Sequence, residues 1–161
     1  MAGWLRLAGS GRSADGDLVT WTLAEGRRGR RWREVIASGE GIRSSLLLEL
    51  DPDGRFSHLE LSTSHGLLTL HPEGDGTLHG NAVTPAGVEH IRRPGWDPDR
   101  AIALVGSSVC AAASPSARTT LRIGLDLSLA DGAASFEPGT VDAAGLPRLD
   151  GATTWPLEAS D

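Results

Sequence analysis

Five arginines crowd into seven positions, Arg27, Arg28, Arg30, Arg31 and Arg33, in a chain whose net charge is −6. A guanidinium presents a planar fork that matches the oxygens of a carboxylate or phosphate two at a time. Gly26 and Gly29, inside the run, would let backbone N–H groups approach the same anion. The competing reading is a solvated hairpin turn, with Glu25 and Glu34 offsetting part of the charge. The segment is not a phosphate-binding P-loop, because no Gly-Lys-Ser/Thr follows the glycines.

The histidines are His58, His65, His71, His79 and His90. His71 and His79 flank one predicted turn, and each alternates with a leucine, so both are expected on one polar face. A metal there would need a third ligand, His65 or His90. No HExxH-type spacing supplies one, so hydrogen-bonded surface histidines and no metal are expected. His79, Glu89 and His90 lie in an irregular, proline-broken stretch and could form an acid–base group. That makes a small hydrolase or isomerase the alternative function. Ser107 and Ser108 are potential nucleophiles, but their surroundings are not a GxSxG elbow and no spacing ties them to a base. No residue is assigned a catalytic role, and no cofactor motif is present.

The elements that position these residues are predicted to be strands. At 161 residues the chain suits one domain with a substantial core. Its 21 glycines beside short apolar runs imply many turns. Val19, Trp21 and Leu23 alternate with threonines; Leu46, Leu48 and Leu50 run into Asp51-Pro52-Asp53-Gly54; Leu59 and Leu61 return. Leu68 and Leu70 precede a second turn, Pro72-Glu73-Gly74-Asp75-Gly76. Every second residue from Leu121 to Leu129 is apolar, which predicts one long strand over 121–129. Further short strands are expected near 88–91, 134–136, 146–149 and 153–157, with room for a short helical turn within 101–113. Residues 1–17 read as a loosely ordered N-terminal arm and 18–161 as a single β domain. Consecutive hairpins predict an all-β antiparallel meander with little or no helix, curved into a β-roll or half-open barrel that protects its edges.

Composition bounds the partners. The negative net charge argues against nucleic acid, and no apolar run approaches a membrane span. With no secretory h-region, a cytoplasmic location is expected. Cys110 is the only cysteine, which excludes an internal disulfide, and its apolar neighbours make it a small buried hydrophobe. Five tryptophans stand against two phenylalanines and no tyrosine, a bias that would suit an apolar cavity as well as a core.

Three segments together, WTLAEGRRGRRW at 21–32, SLLLELDPDGRFSHLEL at 45–61 and GLLTLHPEGDGTLHGN at 66–81, resemble the glycolipid-binding family of bacterial proteins. The likeness spans roughly residues 18–130 in order and spacing. At 82–85 the chain keeps only the Thr-Pro of a Pro-Phe-Thr-Asn-type segment of that family. The resemblance implies an open, curved β-roll of the lipoprotein-carrier kind and an apolar or lipid-like ligand. On this reading the protein is a non-enzymatic binder of an amphipathic small molecule or lipid such as a glycolipid, held in the concave face of the roll. The ligand-binding residues expected are Trp21, Glu25, Arg27, Arg30, Trp32, Arg43, His79 and His90. A roll filled solid by its own leucines would instead suit a structural or partner-binding module.

Overall fold

The computed structural model describes residues 5–133, 136 and 139–157. Among these, eight strands follow one another in chain order: β1 (Leu5–Arg12), β2 (Leu18–Gly26), β3 (Gly29–Ser38), β4 (Gly41–Leu50), β5 (Phe56–Thr63), β6 (Gly66–Pro72), β7 (Leu78–Thr84) and β8 (Gly87–Arg93). Each is antiparallel to the next. The last strand, β12 (Asp150–Pro156), returns to pair with β1, so the sheet runs β12-β1-β2-β3-β4-β5-β6-β7-β8. It is the expected antiparallel meander, and it stays open, with β12 and β8 as its edges. A second sheet holds β9 (Ala101–Leu104), β10 (Thr119–Ile123) and β11 (Leu129–Ala133). There β9 and β10 are parallel, joined through the short helix α1 (Ser108–Ala113), because parallel neighbours need a crossover connection.

Period-2 alternation builds the core. Trp32, Leu48, Leu59, Leu70 and Gly80 stand opposite one another across five strands, and Glu34, Leu46, Leu61, Leu68 and Ala82 form the next row. This inner face meets Ile102, Leu104, Val109, Cys110, Leu121 and Ile123 in one buried cluster. Leu59, Leu61, Leu68 and Leu70 are 0% exposed, each contributing about 1.5–3 kcal/mol of burial. The inner face is thus filled by the protein's own side chains.

The predicted hairpins form with the turn chemistry expected of them. The Asp51 carbonyl accepts from Gly54 N–H, the Asp51 carboxylate accepts from the N–H groups of Asp53 and Arg55, and Gly54 takes φ +81°. Glu73 and Gly76 close the second turn in the same way. Trp96 N–H donates to the Gly76 carbonyl at 2.8 Å, and the indole stacks edge-on against Phe56 at 5.8 Å, fastening the 94–100 loop to the sheet.

Three expectations need correction. Leu5–Arg12, read as part of a loose arm, is β1, hydrogen-bonded on both sides. Its glycines mark close approach: a Cβ on Gly9 would run into the Trp21 ring, and one on Gly11 into Leu149. Trp4 lies outside the described residues. The single strand over 121–129 is a hairpin, β10–turn–β11. The Asp126 carboxylate accepts from both the N–H and the hydroxyl of Ser128, and Gly124 and Ser128 bond across the turn. Leu127, inside that turn, takes φ +69°, so local Asp/Ser hydrogen bonding and a buried leucine outweigh the apolar alternation. Over 146–149 only an isolated bridge, Val141 to Pro147, forms. Of the strand expected at 134–136, Ala134 and Ser135 lie outside the described residues.

Candidate functional site

The eight residues expected to share one ligand site do not meet. Trp21 and Trp32 are core side chains, 2% and 1% exposed, with ring centroids 5.7 Å apart. Arg43 lies near the start of β4 and pairs with Asp17 at 2.8 Å. Arg30 pairs across the sheet with Leu50, at the other end of that strand. His79 and His90 are on the outer face, where they pair with Arg92 and Asn81 in the strand register. His79 hydrogen-bonds Thr77 and His90 hydrogen-bonds Asn81. Glu89 sits opposite the inner-face residue Ala82, so alternation turns it away from His79 and His90. His71 and His79 do neighbour each other, with ring centroids 6.1 Å apart, but His71 bonds Glu73 instead of sharing a third ligand.

Glu25, Arg27 and Arg30 do come together, in an open groove of about 460 Å³ at the β2–β3 turn. Arg6, Arg28 and Arg31 complete its basic lining, against only two carboxylates, Glu25 and Glu49. The register explains part of the convergence: Glu25 and Arg30 pair in the row of the inner-face residue Leu50, at the strand ends, and the neighbouring row gathers the outer-face residues. On the outer face Arg6 lies beside Ala24, Ala24 beside Arg31, and Arg31 beside Glu49. With strands about 4.8 Å apart, the Arg6 and Arg31 backbones stand about 10 Å apart, and the Ala24 methyl between them leaves that gap open. Gly29, at φ +112°, lets the turn press on the end of β4, where a Cβ would strike the Leu50 carbonyl. Arg31 pairs with Glu49 at 3.2 Å and Arg30 with Glu25 at 3.4 Å. Arg6, Arg27 and Arg28 make no ion pair among the described residues, so their guanidinium groups are available to a ligand. Glu25, Arg27 and Arg30 were legible in the sequence run. Arg6 was hidden by the reading of residues 1–17 as an arm.

Two larger grooves are less suited to one kind of charge. One of about 640 Å³ mixes Asp53, Asp97 and Asp99 with Arg55, Arg100 and Arg118, and Arg55 pairs with Asp99 at 3.4 Å. Another, of about 630 Å³ between the β3–β4 and β5–β6 turns, carries Glu40, Arg43 and His65.

A separate polar cluster lies inside the core. Glu34, expected to offset arginines in a solvated turn, is 1% exposed. Alternation from Trp32 to Ile36 aims it inward, opposite Trp21 on β2 and Leu46 on β4. Its Oε2 accepts from Val109 N–H at 3.3 Å, and its Oε1 has no partner. Burial pushes its carboxyl up to about 6, only partly offset by Ser107, Val109 and Ser108. The same burial, with the neighbouring Glu34, pushes the Cys110 thiol up to about 11.

Set beside known proteins, the chain matches no family model, no curated protein and no solved structure. Fold and site together define an open antiparallel β-meander, backed by a small mixed sheet, with an arginine-lined groove at one end. No helix among the described residues is long and apolar enough to cross a membrane.

Proposed function

We propose that the protein is a non-enzymatic binding module for an anionic amphipathic molecule, held at the β2–β3 turn. The observation that carries the reading is the groove's charge: five arginines against two carboxylates, in a protein of net charge −6. At about 460 Å³ the groove falls within the size range of small-molecule sites. Ala24 and the aliphatic stems of the arginines offer an apolar wall, while the guanidinium forks meet the acidic head. The sequence resemblance suggests a lipid-like ligand, a fatty-acyl compound or glycolipid, and the charge of the groove favours one with an acidic head. Because the inner face is packed, the site lies at the sheet's end, outside any internal cavity.

Calorimetric titration below micellar concentration tests this with two amphiphiles of equal chain length, dodecyl phosphate and dodecyl maltoside. The phosphate is expected to bind, more weakly as salt rises. The variants Arg27→Ala and Arg31→Ala should each cost about tenfold in affinity, the scale of one charge-assisted hydrogen bond. Equal binding of the neutral glycoside, or phosphate binding indifferent to both substitutions, would remove the reading.

A further inference from the structure

Glu34 is the one acidic side chain in the buried core of the described residues, and it occupies a position where alternation calls for an apolar group. Ser108 Oγ beside it, and Trp32 Nε1 and Ser44 Oγ in the flanking rows of the sheet, are also buried without partners. No arginine pairs with it among the described residues. An isolated buried carboxylate is costly, whereas a neutral carboxyl can donate its proton to a serine oxygen and still accept from Val109 N–H. The contact it makes is specific in place. Val109 lies in the first turn of α1, the only link between β9 and β10, so Glu34 ties that crossover to the middle of the large sheet.

The crossover has the parts of a hinge. Gly106, at φ +80°, precedes it, and Ser114, with φ −143° and ψ 63°, ends it. Gly106 and Val105 also line a small cavity of about 80 Å³ that reaches Ser44 and Ile36 on the sheet. That volume is about what two or three water molecules occupy in the liquid. The charged groups on this cavity are Asp15, Asp17 and Arg43, of which Asp17 and Arg43 neutralise each other. From α1 the one titratable group facing Glu34 is the Cys110 thiol, and the flanking Trp21, Trp32, Ser44 and Leu46 carry no charge.

We propose that Glu34 is a proton-controlled latch: its neutral carboxyl clamps residues 105–113 onto the sheet, and its ionisation loosens them. Opening at Gly106 joins the small cavity to the carboxylate, which then gains the hydration that burial denied it. Loosening also uncovers α1, whose Val109, Cys110, Ala111, Ala112 and Ala113 are all buried when it is closed. The latch is independent of ligand binding at the arginine groove.

Hydrogen exchange across pH 5–7.5, corrected for the intrinsic exchange rate, reads the latch directly. Protection of amides 107–113 should fall on the order of tenfold over that range if opening returns Glu34 to an ordinary carboxylate pKa, with a midpoint near pH 6. Amides of β5 and β6, which exchange only on global unfolding, serve as the control: above pH 6, residues 107–113 should exchange faster than those strands do, through an opening that leaves β5 and β6 closed. Glu34→Gln, which cannot ionise, should hold residues 107–113 protected at every pH. A pH-independent wild-type profile would overturn the latch, and so would an equal fall in Glu34→Gln. Should that variant fail to fold, the wild-type profile with its β5–β6 control decides the matter alone.

Discussion

Replacing Glu34 by glutamine should make the protein more stable at neutral pH, although the substitution lies in the middle of the core. The native carboxyl titrates near 6 and an unfolded glutamate near 4.5, burial being the main cause of the difference. A group whose pKa is raised on folding binds its proton more tightly in the native state. The wild type therefore loses stability as pH climbs from about 4.5 to about 6 and is level above that. At 1.36 kcal/mol per decade, the loss totals about 2 kcal/mol. Glutamine keeps the shape and an acceptor for Val109 N–H. Its amide can donate to Ser108, whose hydroxyl lacks a partner. Urea unfolding followed by the fluorescence of Trp21 and Trp32, at four pH values from 4.5 to 7.5, isolates the effect as a difference between the two proteins. The variant should be level with the wild type, or slightly below it, at pH 4.5. At pH 7.5 it should stand about 1–2 kcal/mol above that starting difference. A difference constant across the series would refute the reasoning, as would a wild type that gains on the variant as pH rises.

Two other substitutions or treatments probe the packing. Gly9→Ala places a methyl where the Trp21 indole lies, and should cost about 1–3 kcal/mol of unfolding free energy as the ring is forced from its contact with Trp32. Cys110 should resist dithiodipyridine, a thiol reagent active in acid, in the native protein at pH 5, where the Glu34 carboxyl is neutral and α1 is seated, and should label fully in denaturant. Rapid native labelling would show that α1 is not seated as described.

Much of the sheet could be read from the chain because its signals are local. The leucines at 46, 48 and 50, the Asp51–Gly54 turn and the returning Leu59 and Leu61 specify a hairpin without reference to anything distant. The meander order follows from short turns between neighbours. Other features depend on what approaches from far along the chain. Gly9 and Gly11 look like markers of a loose arm until Trp21 and Leu149 are seen to occupy their missing side chains. The leucines over 121–129 suit a strand and a hairpin equally, and the Asp126–Ser128 hydrogen bonds decide for the hairpin. Four of the groove's five arginines are visible in the run 27–33. Arg6 joins only because β1 pairs with β2 and aligns it with Ala24. The inward aim of Glu34 was available from the alternation of Trp32, Glu34 and Ile36, but its place in an arginine-rich run argued for solvent. Ser107 and Ser108 had no visible base. They stand beside Glu34 only because the β9–α1–β10 crossover folds back over β3.

Amide chemical-shift mapping with dodecyl phosphate tests the proposed site most directly, because it reports where the ligand sits as well as whether it binds. Saturable shifts are expected at Arg6, residues 24–31, Glu49 and Leu50, with little change at residues 97–101 and 113–119, which line the larger mixed-charge groove. Shifts centred on that groove, or spread evenly over the sheet without saturation, would contradict the proposed site.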